Sequence, residues 1–246
     1  MTTHYKTQAI VFKKNDINES DRIFSVFTAD FGKIDIFAKA IRKPTSKLRG
    51  GIDIFFLSEI EFIQGKNKKT LTDVVAIEKF KNIYKNLEKF KIANAIVEIL
   101  YDLIKGEEKD EDLFIFLRNI FAELNSCSPI PPRCLLLYYY FLWNILSFLG
   151  YHSEVKKCAN CQSKLFPYNI YFSNKEGGII CRNCLDKDGT SKKINSDIVK
   201  ILRIILSKNW SMLSKIKIGS ASWKLFEEVS RDYYFYILNR KANFIL

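Results

Sequence analysis

The chain has 246 residues, 48% of them apolar, with 39 basic and 27 acidic residues and a formal net charge of +12. That length and apolar content support one large core or two smaller ones and exclude a disordered polymer. The charge is uneven: residues 1–80 carry 14 basic against 10 acidic residues, residues 81–150 carry 8 against 9, and residues 151–246 carry 17 against 8. Two basic ends point to a polyanionic partner, either nucleic acid or an anionic membrane, and the absence of a long basic amphipathic helix disfavours the membrane.

The first eighty residues read as strands. "QAIVFK", "IFSVFTAD", "KIDIFAKA", "IDIFFLSEIEFI" and "LTDVVAIEKF" are rich in Ile, Val and Phe, and several alternate with period two. "DFGK" at 30–33 and "QGKNKK" at 64–69 read as turns between them. Five short strands in this span suit a small closed β-barrel of the OB-fold kind.

After the third strand comes "KAIRKPTSKLRGG", residues 39–51. It holds Lys39, Arg42, Lys43, Lys47 and Arg49 and no acidic residue. Five cations on one loop either face solvent or meet an anionic ligand. A basic rim beside aromatic residues such as Phe37 suits a sugar–phosphate backbone with bases stacked alongside. Phe37 itself packs inward or offers that platform according to which face of its strand is buried.

From residue 81 the period becomes helical. "NLEKFKIANAIVEILYDLI" builds one apolar face, and "GEEKDEDLFIFLRNIFAELN" predicts a helix whose first turn is acidic, which suits the helix dipole. "SPIPPRCLLLYYYFLWNILSFLGY" predicts a helix that starts after prolines and stops at Gly150. Its apolar run, residues 134–150, is shorter than the roughly 18 residues that read as a membrane span. It also carries Asn144 and Ser147, so a buried core helix is expected. "SDIVKILRIILSKN" predicts a helix capped by Ser196, and "ASWKLFEEVSRDYYFYILNRK" predicts a last one with its Tyr and Phe residues in the core.

The opening "MTTHYKTQAIVFKKND" lacks the apolar run of a secretory signal, so the cytoplasm is the expected compartment. There the six cysteines are expected as thiols or metal ligands rather than disulfides. Four of them, Cys158, Cys161, Cys181 and Cys184, form C-x2-C-x19-C-x2-C. This spacing lets two knuckles supply four thiolates to one tetrahedral Zn²⁺, with no position left for a reacting water; iron–sulfur ligation is the weaker alternative. The site is therefore expected to be structural, and metal binding to fold a coreless insertion at about residues 151–190. Cys127 and Cys134 have no partner at metal spacing. His152 and Glu154 before Cys158 imitate part of a zinc-deaminase motif, but no proline precedes Cys158 and the second cysteine pair would have no role. No phosphate-binding G-x4-GK[ST] loop is present, and no catalytic centre is evident.

Taken in order, "AIVFKKNDINESDRIFSVFTADFGKIDIFAKAIRKPTSKLRGGIDIF", a helix ending in "FLG", the four cysteines and "RDYYFYILNRKANFIL" resemble the RecO family of bacterial DNA repair and recombination mediators. The resemblance spans the whole chain. It implies an α+β protein: an OB-fold nucleic-acid-binding domain at 1–80, then an α-helical domain at 81–246 interrupted by the zinc insertion. It implies no enzymatic activity. It implies binding of single- and double-stranded DNA, annealing of complementary strands, and loading of RecA onto strands coated by single-stranded DNA-binding protein, together with RecR and in many cases RecF. On this match Lys39, Arg42 and Lys43 are phosphate contacts, Lys47 and Arg49 extend them, and the protein works in the cytoplasm at the nucleoid. The acidic, apolar-ended tail of single-stranded DNA-binding protein is expected to dock on the helical domain. Ala40 stands where the family has glycine, and "YYFYILNRK" lacks the family's His and Gly. Two other readings fit the composition: an RNA-binding protein with an OB-fold and a zinc knuckle, and a zinc enzyme acting on nucleic acid.

Overall fold

The computed structural model describes residues 3–127, 133–185 and 191–239. The chain forms two compact units, Met1–Leu135 and Leu136–Leu246.

Unit 1 opens with five strands: β1 (His4–Ile17), β2 (Asp21–Thr28), β3 (Gly32–Ala38), β4 (Leu57–Gln64) and β5 (Lys69–Glu78). They close a barrel in the order β1-β2-β3-β5-β4. β1 reaches both neighbours because it is long and bulged. His4–Ile10 pairs with β4, Ala9–Ile17 pairs with β2, and the register shifts between Val11 and Lys13, where a bulge bends the strand. Closure comes from a short parallel contact, Ile36 and Phe37 of β3 against Lys69 and Thr70 of β5. Alternation fills the interior: Ala9, Val11, Phe24, Val26, Ile34, Ile36, Ala38, Ile60, Phe62, Leu71 and Val74 form the core. The expected turn at 30–33 depends on Gly32, whose φ is +60° and where a Cβ would lie 2.2 Å from the Glu108 carbonyl oxygen. Residues 52–56, expected in the fourth strand, lie outside it. The Phe55 N–H instead bonds the Val11 carbonyl oxygen, and its side chain is fully buried.

Three helices follow: α1 (Lys81–Tyr84), α2 (Leu87–Leu103) and α3 (Glu111–Ser126). Asn86 caps α2 through Lys89 N–H, and Asp110 caps α3 through Leu113 N–H, with Glu111 and Asp112 in its first turn. Phe55 joins these helices to the barrel, its ring against Tyr84, Phe90 and Phe121 at 5.7–5.9 Å. The sequence period changes at residue 80, whereas the packing changes at 135, because this aromatic cluster carries α1–α3 into the barrel's unit. Cys127 and Cys134 correct the expectation of free thiols. They are disulfide-bonded with Cα atoms 6.3 Å apart, a separation in the bonding range that a compartment argument does not consider.

Helix α4 (Arg133–Phe148) enters unit 2, followed by β6 (Ile170–Ser173), β7 (Gly178–Cys181), β8 (Lys192–Ile194), α5 (Ser196–Leu206), α6 (Trp210–Leu213) and α7 (Ser220–Ile237). The sheet order is β7-β6-β8. Trp143 centres the core, stacked on Tyr233 at 5.2 Å and edge-on to Phe172 at 5.6 Å. Its indole N–H donates to Ser230 Oγ at 2.9 Å, so the buried polar edge is satisfied. Asn144, inside the apolar run, donates to the carbonyl oxygens of Tyr140 and Ile205. Gly150 ends the helix as expected, with φ +90°. The cap of α5 is Asn195, whose side chain accepts Ile198 N–H, and not Ser196, which is already helical. Tyr233, Tyr234 and Phe235 are buried as expected. The expected prolines at 129, 131 and 132, the polar loop at 186–190 and the C-terminal stretch 240–246 lie outside the described residues.

Candidate nucleic-acid interface and metal centre

The barrel's outer face is built by the same alternation that fills its core. On β3, Ile34, Ile36 and Ala38 are buried, while Lys33, Asp35 and Phe37 take the outward positions. Phe37 therefore faces out. Its register partner on β2 is Ile23, and the next outward pair is Ser25 and Asp35, joined by a 2.6 Å hydrogen bond from the Ser25 hydroxyl. One end of this face is covered: Lys33 Nζ donates to the carbonyl oxygens of Tyr101 in α2 and of Ile104 just past its end, and lies 3.8 Å from the Tyr101 ring centroid. Partial burial lowers the Lys33 pKa from its usual value. The other end is open. A groove of about 530 Å³ runs along the face from Lys33, Asp35 and Glu107 to Phe37, Lys66 and Lys68, and the Lys68 ammonium sits 3.6 Å from the Phe37 ring centroid. The lysines of the β4–β5 turn belong to this face. "QGKNKK" reads as a polar turn in sequence, and only strand order brings it beside β3.

Directly beyond β3 lies the basic loop. Lys39, Arg42, Lys43, Lys47 and Arg49 are all exposed, the last two on a 3₁₀ turn, Lys47–Gly50. Ala40 holds φ +53°, a left-handed conformation that glycine adopts without strain, so the departure from the family residue leaves the turn in place. Its N–H donates to Asp21 Oδ1 at 2.7 Å, and Arg42 N–H donates to the Ser20 carbonyl oxygen. The Ala40 N–H is the main reason the Asp21 carboxyl titrates below its usual range. Arg42 Nε also approaches Asp16 Oδ2 at 3.4 Å, leaving the guanidinium partly neutralised.

In unit 2 the four cysteines come together, with every sulfur within 4.8 Å of the others. The Cys161 and Cys181 sulfurs are 3.8 Å apart, matching the edge of about 3.8 Å that a tetrahedron with bonds of about 2.3 Å requires. The first knuckle is fastened to β7. Ala159 N–H donates to the Ile179 carbonyl oxygen, Ile179 N–H to that of Glu154, and Cys181 N–H to the Cys158 sulfur. Gly178 permits this approach, since a Cβ there would lie 2.6 Å from the Glu154 carbonyl oxygen. The thiols polarise one another. The Ser163 hydroxyl holds Cys161 down to about 6, whereas the hydrogen bond between Cys184 and Cys161, with desolvation, pushes Cys184 up to about 12. A donor set of four thiolates fits one soft, tetrahedral divalent cation. The deaminase imitation does not join it: Glu154 accepts the N–H groups of Lys156 and Lys157, and His152 Nδ1 bonds Ser147 Oγ.

An OB-type barrel followed by helices and a four-cysteine cluster defines the architectural class of this α+β protein, and sequence comparison narrows it. The chain matches the family models "Recombination protein O N terminal" over residues 1–80 and "Recombination protein O C terminal" over residues 84–243. It is 37% identical over 216 residues to a DNA repair protein RecO of Dehalococcoides mccartyi, covering 87% of this chain and 83% of that protein. A second strain's RecO is 33% identical over 243 residues, covering 98% and 94%. A RecO from a Thermoanaerobacter species is 30% identical over 227 residues, covering 92% and 88%. The chain belongs to the RecO family of DNA repair proteins. Among the described residues no helix is long and apolar enough to cross a membrane.

Proposed function

We propose that this protein is a non-enzymatic DNA mediator. It binds single- and double-stranded DNA through the basic loop of its barrel and anneals complementary strands. With RecR, and with RecF where present, it helps load RecA onto strands coated by single-stranded DNA-binding protein, in the cytoplasm at the nucleoid. The observation that carries this reading is the row of outward positions on β3, where half-buried Phe37, with the Lys68 ammonium over its ring, leads into five exposed cations. Lys39, Arg42, Lys43, Lys47 and Arg49 neutralise phosphates, and Phe37 with Ile23 offers an apolar floor for a base. Membership of a family of DNA repair proteins favours DNA over RNA as the ligand.

Cys158, Cys161, Cys181 and Cys184 hold one structural Zn²⁺, which joins the knuckle to β7 and takes no part in chemistry. In unit 2 a groove of about 880 Å³ is lined by Tyr151, His152, Lys175, Tyr233 and Tyr236 among others. Its aromatic walls suit the apolar end of the acidic tail of single-stranded DNA-binding protein, and Lys175, beside Glu176, is the cation it offers among the described residues.

The test is strand annealing without nucleotide, with and without single-stranded DNA-binding protein, beside affinities for DNA and RNA of one sequence. The reading expects annealing in both conditions and tighter binding of DNA. Absence of annealing with equal affinity for RNA would favour the RNA-binding alternative.

A further inference from the structure

The metal-bearing segment carries aromatic rings that neither the zinc site nor the barrel face uses. Phe166 is 65% exposed and Tyr168 is 78% exposed, the two most exposed aromatic side chains among the described residues. They flank Pro167 in a short loop tied at both ends. On one side Lys157 and Lys164 form an antiparallel bridge around the first cysteine knuckle, with Cys158 N–H donating to the Ser163 carbonyl oxygen. On the other side β6 begins at buried Ile170. Pro167 fixes its own φ and restricts the residue before it, so the rings are displayed with little freedom to collapse inward.

Three lysines lie close in sequence to these rings. Lys156, Lys157 and Lys164 are exposed, and none forms an ion pair among the described residues. The neighbouring acid, Glu154, is turned back onto the N–H groups of Lys156 and Lys157. Exposed rings that follow a lysine-bearing knuckle, with Lys164 two residues before Phe166 and bridged to Lys157, are a combination that binds unpaired bases along a phosphate backbone, since any base stacks on a ring face and lysines follow the phosphates. A duplex keeps its base faces covered and gains only the charge term.

We propose that Phe166 and Tyr168, with Lys156, Lys157 and Lys164, form a second single-stranded nucleic-acid site, separate from the barrel face and displayed by the cysteine knuckle. The proposal rests on the nucleic-acid reading of the family fold and adds a place where a second strand binds.

The test uses the full-length, metal-loaded protein and an oligothymidylate probe. Phe166→Trp puts a reporter at the site, read after subtracting the wild-type emission of Trp143, Trp210 and Trp223. The site predicts that added strand quenches this emission, because bases stack on the indole. It also predicts that the quench persists when Lys39, Arg42, Lys43, Lys47 and Arg49 are all Ala, since the barrel loop is not part of it. In Phe166→Ala/Tyr168→Ala, the weaker of two strand-binding events is lost or falls about tenfold, and zinc content is unchanged because both rings are solvent-exposed. An unquenched reporter at strand saturation, or an unaltered binding isotherm in the double variant, overturns the second site and assigns the rings to a protein partner. If the five-Ala variant binds strand with wild-type affinity and salt dependence, the barrel reading fails instead, whatever the reporter does.

Discussion

The N–H of Ala40 donates to the carboxylate of Asp21 at 2.7 Å, tying the start of β2 to the loop that leaves β3. One hydrogen bond thus holds the backbone from which Lys39, Arg42 and Lys43 project. The residue it holds is in the left-handed region, where alanine is strained by about 1 kcal/mol.

Asp21→Ala, which removes the acceptor, should release the loop without unfolding the barrel, whose core contains neither residue. The expected outcome is DNA affinity weakened about three- to tenfold, with faster amide exchange confined to residues 39–50, measured by hydrogen exchange. The sign with pH follows from the depressed carboxyl. Its contribution is present above the ordinary carboxylate range and is lost as pH falls through its lower folded value. Loop ordering should therefore be flat from pH 8 to 5 and decline only in more acid solution.

Ala40→Gly should do the opposite for stability. It removes the left-handed strain, and stabilisation of roughly 0.5–1 kcal/mol is expected from denaturant midpoints of unit 1. DNA affinity should be unchanged or slightly lower, since the loop path is kept while its stiffness falls.

These two changes mark what the sequence makes legible. The five strands, the main helices and the cysteine cluster follow from period and spacing, because burial imposes a rhythm on the chain and a tetrahedral ion imposes a gap. The face of Phe37 is not legible, because period two fixes that neighbours oppose each other but not which one is inside. Lys66 and Lys68 read as turn residues, and only closure of β3 on β5 places them beside Phe37. Asn195 displaced Ser196 as the cap because both side chains suit the role and the helix starts one residue earlier than the pattern suggests. The Cys127–Cys134 bond joins the end of α3 to the start of α4, a pairing that no local pattern encodes.

Cys158→Ser should abolish stoichiometric zinc and loosen the sheet β7-β6-β8, because Cys158 is the buried member of the cluster and receives Cys181 N–H. The check is metal analysis of reduced protein together with protease sensitivity of residues 151–194. Retention of one zinc per chain would contradict four-thiolate ligation.

Ser230→Ala removes the acceptor of the Trp143 indole N–H inside unit 2. A buried donor left unpaired costs about 1–3 kcal/mol, which should appear as a lower denaturant midpoint reported by tryptophan emission. Barrel-based DNA binding should be unaffected.

A peptide carrying the acidic tail of single-stranded DNA-binding protein should bind weakly in the groove of unit 2 and lose affinity with added salt. Lys175→Glu should weaken it further, measured by fluorescence anisotropy of the labelled peptide. Binding that maps to the barrel and is indifferent to Lys175 would place the tail elsewhere.

The central claim is that the loop after β3 follows a DNA backbone, and the salt dependence of strand binding tests it most directly. Each phosphate contact on a single strand contributes about 0.7 to the slope of log K against log salt. Arg42 is already partly paired with Asp16 and counts for less than a full contact. Replacing Lys39, Arg42, Lys43, Lys47 and Arg49 with Ala should therefore flatten the slope by roughly 2 to 3 units, uniformly across sequences. The folded state should be unchanged by circular dichroism and zinc content. A folded five-Ala variant that keeps the wild-type slope would contradict the account and leave the loop as solvated surface.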